Sequence, residues 1–410
     1  MMYLCIIITL LNLFIVYIYY KRNSNKLTIG NYLISLYSFS VLLTLLNVDE
    51  TIIFSIKATL FFNIILLLFI IPVMRFKGNN IYTIRSNQLQ IFNVVSYLFI
   101  ISGISAIIFF LPTVYKLFSS NISLLVLRTN MVGGESYVGP GAFYNISNLI
   151  SQFYPIILIF YFYSISFLNK SKLFNFLLLL SSTSYIFNVL SVVGRDGFIL
   201  WLMSYIFSFL LFRNHISKKS KQKHIKLLYY TIGVALLFIV PITIARFFYQ
   251  GHEAGLDSIV KYSGAQFANF NNFFNRIPNP EKYGSFTDIF PIFNFNFRSS
   301  DVIFLDSWEE KVWAFGIDTN VFSTFIGSFY LSIGKVGTFI LGIVFFVLGY
   351  LISKNSNQVS LSKIILITLF AQIILHGFFY YKLAYTVSNI YMILTVFLSL
   401  FFRKTSSFEK

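Results

Sequence analysis

The amino-acid sequence reads as an all-α, polytopic membrane protein. Its 410 residues are 57% hydrophobic and 20% aromatic but only 11% charged, against roughly 25% charged in ordinary soluble domains. That little charge does not cover a soluble surface. The apolar residues collect in eleven runs, near 2–20, 29–47, 52–73, 89–111, 147–167, 174–192, 197–212, 227–247, 337–353, 364–380 and 385–402. A bilayer-crossing helix needs about 20 such residues, so about eleven transmembrane helices are expected, in one integral membrane domain over 1–410.

The polar breaks between the runs alternate in sign. Lys21, Arg22 and Lys26 follow the first run, and Arg75, Lys77 and Arg85 the third. Lys170 and Lys172 follow the fifth, and Arg213, Lys218, Lys219, Lys221, Lys223 and Lys226 the seventh. Lys354 and Lys363 flank the break after the ninth, and Arg403, Lys404 and Lys410 come last. Loops rich in Lys and Arg stay cytoplasmic, which places the N-terminus outside. Nineteen basic residues and one acid then lie inside, and the outer side, with the other twelve basic residues and thirteen acids, is nearly neutral. The net charge of +17 thus orients the chain and does not imply a nucleic-acid partner. Met1–Tyr20 lacks the basic start and small-residue cleavage site of a signal peptide. The one cysteine, Cys5, lies in the first run, so no intramolecular disulfide or Cys-based metal site forms.

The outer side carries the long connections, 112–146 and 248–336. The first holds Arg128 and the glycine-rich stretch 133–141 with Glu135; it suits close backbone approach to a ligand or a plain turn. The second is punctuated by Pro278, Pro280 and Pro291, a length normally reserved for functional loops. Its segment Val321–Ile333 is apolar but too short to cross, and reads as a re-entrant or surface-lying helix ahead of the ninth run.

Few groups remain for chemistry. Arg195 sits in Gly194-Arg195-Asp196-Gly197 between two apolar runs, and Arg246 ends the eighth run on the same side. A guanidinium there grips phosphate at headgroup depth with two parallel hydrogen bonds, or merely anchors a helix at the interface. Arg128, Arg276 and Arg298 are further substrate-binding candidates. For a general base, Asp318 in Gly316-Ile317-Asp318-Thr319-Asn320 leads into the short helix; it caps the helix or lines a cavity edge as a base. His252 with Glu253 is the second choice. No metal or cofactor signature accompanies them.

These residues resemble a known family. An arginine between glycines at the outer start of a span, another at the next exit, a large outer loop, and Gly-x-Asp-Thr-Asn-Val-Phe at 316–322 before Gly334-Lys335-Val336-Gly337 are similar to Wzy-type O-antigen polymerases. The related O-antigen ligases commonly carry a His-Asn pair there; Asn320 matches the Asn, while Asp318 and Thr319 occupy the neighbourhood of the absent His. The resemblance implies a metal-independent, GT-C-like membrane glycosyltransferase without cofactor, in a bacterial plasma (inner) membrane with its site on the periplasmic face. It implies transfer of a growing glycan from undecaprenyl diphosphate to a new lipid-linked repeat unit, with Asp318, Asn320, Arg195 and Arg246 catalytic and Glu135, His252 and Glu253 among the substrate contacts. A polysaccharide co-polymerase and a flippase are the implied partners. The competing readings are a ligase or a flippase for lipid-linked oligosaccharide.

Overall fold

A computed structural model describes residues 1–21, 28–46, 51–76, 78, 80–119, 142–247, 264–293, 313, 315–317, 319, 322–354 and 359–403. Among them the regular structure is helical, apart from isolated parallel bridges at Ile81–Val359 and Thr324–Tyr380. In chain order the helices are α1 (Met2–Lys21), α2 (Ile29–Leu43), α3 (Ile56–Arg75), α4 (Ser86–Ser119), α5 (Ala142–Gln152), α6 (Tyr154–Tyr163), α7 (Lys172–Ser182) and α8 (Ser184–Leu190). They continue as α9 (Asp196–Phe212), α10 (Lys218–Phe247), α11 (Ala265–Arg276), α12 (Phe286–Ile289), α13 (Thr324–Ser353), α14 (Leu361–His376) and α15 (Thr386–Phe401).

Among the described residues, seven stretches are long and apolar enough to cross a bilayer: Met2–Tyr20, Ile29–Leu46, Ile56–Arg75, Ser86–Ser119, Lys172–Leu190, Lys218–Ile244 and Thr324–Ser353. An eighth forms if α5 and the helix behind it, Tyr154–Leu168, bent by 44°, count as one span. Helices α9, α14 and α15 are apolar but shorter. The chain is a multi-pass, all-α membrane protein.

The chain divides into two compact units. The first comprises Met1–Lys77, Asp257–Asn355 and Phe370–Asn389. Its core is aromatic: the Phe69 ring lies 4.8 Å from Phe325 and 5.2 Å from Phe345. Some buried polar groups are satisfied across helices, as a bilayer interior favours. Tyr37 donates to the Ile374 carbonyl at 2.8 Å, and Asn63 to Thr9 Oγ1 at 3.2 Å.

Helix α13 is two helices joined at Gly334, whose φ of 67° and ψ of −172° are not helical. Only glycine adopts that conformation readily, and a side chain there would run into the Glu281 carboxylate. The piece before the break, Thr324–Ile333, covers most of the expected 321–333 segment and is largely buried, with Phe325, Ile326, Phe329 and Tyr330 at 0% exposure. Its N-terminal amides need partners outside the helix. Ser323 and Thr324 donate to the Phe379 carbonyl at 3.1 and 2.9 Å, and Phe325 donates to that of Gly377 at 2.7 Å.

The second unit comprises Gly78–Leu256, Ser356–Leu369 and Ile390–Lys410. Side chains and backbone tie several of its connections together at one end. The Tyr163 hydroxyl accepts from the Ile84 amide at 2.9 Å and donates to the Tyr82 carbonyl at 3.1 Å. His215 Nε2 bonds the Gly78 carbonyl at 2.9 Å. Val359 donates to the Asn80 carbonyl at 2.8 Å, and Gln88 to that of Arg403 at 3.2 Å. The breaks after the third, seventh, ninth and eleventh apolar runs therefore meet beside the end of the fifth run, and they are breaks that carry basic residues. Burial raises the Tyr82 phenol above its ordinary pKa, against the pull of the nearby Arg85 guanidinium.

Helix is found within both long connections. Helix α4 passes through Pro112 to Ser119 and α5 begins at Ala142, so helix occupies both ends of 112–146. Within 248–336, α11, α12, two single turns and the start of α13 are folded.

Candidate functional site

Arg195 ends a five-residue turn between α8 and α9, built around Val189. The amides of Val192 and Gly194 both donate to the Val189 carbonyl, at 3.2 and 2.9 Å, and the Val193 amide donates to that of Leu190 at 2.9 Å. Closing the turn puts Val193 at φ 54°, a left-handed conformation that costs a β-branched residue about 1–3 kcal/mol. Both glycines are required by contact with Val189. A Cβ at Gly194 would stand 2.5 Å from Val189 Cγ1, and one at Gly197 2.7 Å from Val189 Cβ.

The turn delivers Arg195 to the N-cap position of α9. Its Nη1 donates to Thr243 Oγ1 at 2.7 Å, a part-buried bond that fixes the guanidinium against α10. Arg246 follows Thr243 by three residues, about one helical turn. Its backbone lies in α10 and its side chain is outside the described residues.

Behind Arg195 the facing sides of α9 and α10 form an aromatic ladder. The Phe198 ring stacks on Phe238 at 5.5 Å, and Phe118 of α4 meets Phe238 edge-on at 5.8 Å. Trp201 lies one turn further along α9 and donates to Ser182 Oγ at 3.0 Å. At the far end Tyr205 Oη bonds His224 Nδ1 at 2.8 Å, inside a box of Tyr161, Phe162 and Phe209. From Thr243 to His224 α10 rises about 28 Å, close to the hydrocarbon thickness of a bilayer.

Between the ladder and helices α4, α7 and α8 lies a cavity of about 730 Å³. Phe118, Phe187, Phe198, Trp201, Tyr230 and Phe238 are among its walls, and no lining residue is charged. Leu190, the last residue of α8, and Phe198, the third of α9, are both in the wall and flank the Arg195 turn. A second cavity of about 640 Å³ lies along α1 and α2, again without a charged residue.

The α8 helix that ends in this turn is pinned by carboxamides. Asn188 Nδ2 donates to Asn148 Oδ1 at 2.8 Å and to Ser151 Oγ at 2.7 Å, and Gln152 Nε2 donates to Asn148 Oδ1 at 3.3 Å. These three partners lie on α5, just before the bend at Phe153. Sequence reasoning missed Thr243, Asn148 and Asn188; each is a polar residue interrupting an apolar run, which was the available signal.

Of the other expected site residues, Arg276 lies in the first unit. It ends α11 and donates through Nη2 to the Thr51 carbonyl, so it ties a helix end to a neighbouring segment. Asp318, Asn320, Arg128, Arg298, Glu135, His252 and Glu253 lie outside the described residues. Among the described residues no group of three or more His, Cys, Asp or Glu side chains comes together.

Comparison of the chain with protein-family profiles, with curated proteins and with solved structures finds no match.

Proposed function

We propose that this protein polymerises oligosaccharide repeat units carried on undecaprenyl diphosphate, at the outer leaflet of a bacterial inner membrane. In this reading the chain crosses eleven times in a GT-C-like arrangement, with the basic end of the second unit cytoplasmic and the Arg195 end periplasmic. The observation that carries it is Arg195: a strained, glycine-bracketed turn fixes a cation at the end of an uncharged cavity, opposite the basic end.

The chemistry follows from the leaving group. An acceptor hydroxyl on the incoming repeat unit attacks the anomeric carbon of the growing glycan. The bond from that carbon to the diphosphate oxygen breaks, and the electron pair leaves with undecaprenyl diphosphate. The hydroxyl proton passes to a carboxylate, for which Asp318 is the candidate, with Asn320 beside it. Arg195, with Arg246 one turn beyond Thr243, stabilises the departing charge without a metal; one such fixed donor is worth on the order of 10²–10³ in rate. A polysaccharide co-polymerase and a flippase are the expected partners.

Purified protein reconstituted with lipid-linked repeat units gives the test. Wild type should produce a ladder of chain lengths. Arg195→Ala should insert and fold normally but extend chains at least a hundredfold more slowly. An unchanged ladder from that variant would refute the reading.

A further inference from the structure

We propose that a lysine face at the start of α10, formed by Lys219, Lys223 and Lys226, binds the phosphate groups of acidic phospholipids. In the orientation proposed above these are lipids of the inner leaflet. The inference does not depend on the polymerase reading, because it concerns the basic end of α10 and its readout is lipid binding.

The rotation of the helix sends these side chains out together. At about 100° per residue, Lys219, Lys223 and Lys226 fall within an arc of about 60°. The buried residues of the same helix, His224 and Ala235, lie about 140° from the centre of that arc. The Tyr205–His224 bond of 2.8 Å fixes the rotation. All three lysines are exposed, and α10 is the least buried of the seven long apolar spans, at 11%. Lys218 and Lys221 fall outside the arc.

Depth places the face among headgroups. From Thr243 to His224 the helix rises about 28 Å, close to the thickness of the hydrocarbon core. Lys223 and Lys226 therefore stand at the edge of that core, and Lys219 a turn beyond it. Tyr229 and Tyr230 follow just inside, 69% and 72% exposed, where interfacial aromatic belts lie. Tyr230 and then Leu237, 73% exposed, continue the arc of the lysines into acyl-chain depth. A soluble acidic partner would not meet that continuation; a phospholipid, with its phosphate above its chains, does.

The charge on this face is not balanced from nearby sequence. No Asp or Glu occurs between Asp196 and Glu253, and the basic breaks hold one acid, Glu409, outside the described residues. Like charges four residues apart weaken a helix, and the first helical turn already carries the positive end of the dipole. Positive charge that only orients a loop works wherever it lies in the loop. Stacked on one outward face of a helix start, it calls for an external anion.

The test is native mass spectrometry of the full-length protein in detergent, titrated with cardiolipin, phosphatidylglycerol or phosphatidylcholine. Wild type should bind the two acidic lipids at least tenfold more tightly than phosphatidylcholine. A lysine beside an anionic surface contributes roughly fivefold, so the triple variant Lys219→Gln, Lys223→Gln and Lys226→Gln should lose at least tenfold. The triple variant Arg213→Gln, Lys218→Gln and Lys221→Gln removes as much charge from the same connection and should lose less than threefold. Lys219→Arg, Lys223→Arg and Lys226→Arg together should bind within twofold of wild type, which separates loss of the face from loss of fold. Detergent exposes both ends of the protein, so a variant that inserts the wrong way round does not mimic lost binding. Equal losses from the two glutamine triples would show that only the summed charge of the connection matters, and would overturn the proposal. Binding of the acidic lipids no tighter than phosphatidylcholine, or full competition by inorganic phosphate, would overturn it as well.

Discussion

Two arginines bracket helix α9. Arg195 stands at its N-terminus and Arg213 at its C-terminus, and their surroundings are opposite. Arg213 lies where the helix dipole is negative and welcomes a cation. Its neighbours are the connections tied by His215 and Tyr163 and the lysines that open α10. Arg195 lies where the dipole is positive and disfavours it. Asp196 in the first helical turn offsets part of that cost, and Val193 adds backbone strain. A cation kept at the unfavourable end of a helix, on a strained turn beside Asp196, is what the proposed role requires. A cation at the favourable end needs only orientation to explain it. Residue type and exposure do not separate the two; the direction of the helix does.

The sharpest way to break this contrast is the pair Arg195→Ala and Arg213→Ala in reconstituted chain extension. The first should lose at least about a hundredfold, as for removal of one fixed donor to a developing anion, with thermal unfolding unchanged within a few degrees. Similar losses from both variants would show that α9 carries no asymmetry of function.

The next effect is on the turn. Gly194→Ala places a methyl 2.5 Å from Val189 Cγ1 and 2.9 Å from the Val189 carbonyl oxygen. Backbone has to move, at a cost of about 1–3 kcal/mol, and activity should fall with it because Arg195 moves too. Melting in nanodiscs and chain extension should therefore change together. A melting temperature equal to wild type would show that the turn is looser than its contacts imply.

Smaller again is Thr243→Val, which keeps the shape of the side chain and removes the acceptor of the Arg195 bond. The expected loss is about fivefold to tenfold in chain extension, in keeping with one hydrogen bond of about 1–1.5 kcal/mol. Thr243→Ser should restore it. If valine is as active as wild type, Thr243 does not position the guanidinium.

Much of this arrangement was legible in the sequence, for identifiable reasons. Each of the eleven apolar runs contains helix, because a backbone in lipid has no other way to satisfy its polar groups locally. The break at Gly334 was legible from the Gly-Lys-Val-Gly interruption, and the tight turn at Arg195 from its two glycines. One boundary differs: the fourth run ends at 111, whereas α4 continues seven residues beyond Pro112, just as α10 continues through Pro241 inside the eighth run. In a membrane helix neighbouring groups accommodate the missing amide. The bend at Phe153 was missed although Pro155 lies in the first turn of α6. Partnerships were beyond reach altogether. Arg195 meets Thr243 across 48 residues, and Asn188 meets Asn148 across 40, and no local spacing encodes which polar interruption faces which.

The least effect should come from Arg213→Ala, and its smallness is informative. Arg213 is one of six basic residues between the seventh and eighth runs, so the remaining five lysines still hold that loop on its side. It caps the C-terminus of α9 without contributing to the Tyr205–His224 pair or to the cavity walls. Surface changes of this kind usually stay within about 0.5 kcal/mol. Chain extension within about twofold of wild type, with the same protease-accessible loops in intact vesicles, is the expected outcome. Reversing that charge to Asp tests the same point harder, because the lysines must then hold the orientation against it. An inverted protein from Arg213→Ala alone would mean that this arginine, rather than the summed charge of the loop, decides which end of α9 faces the cytoplasm.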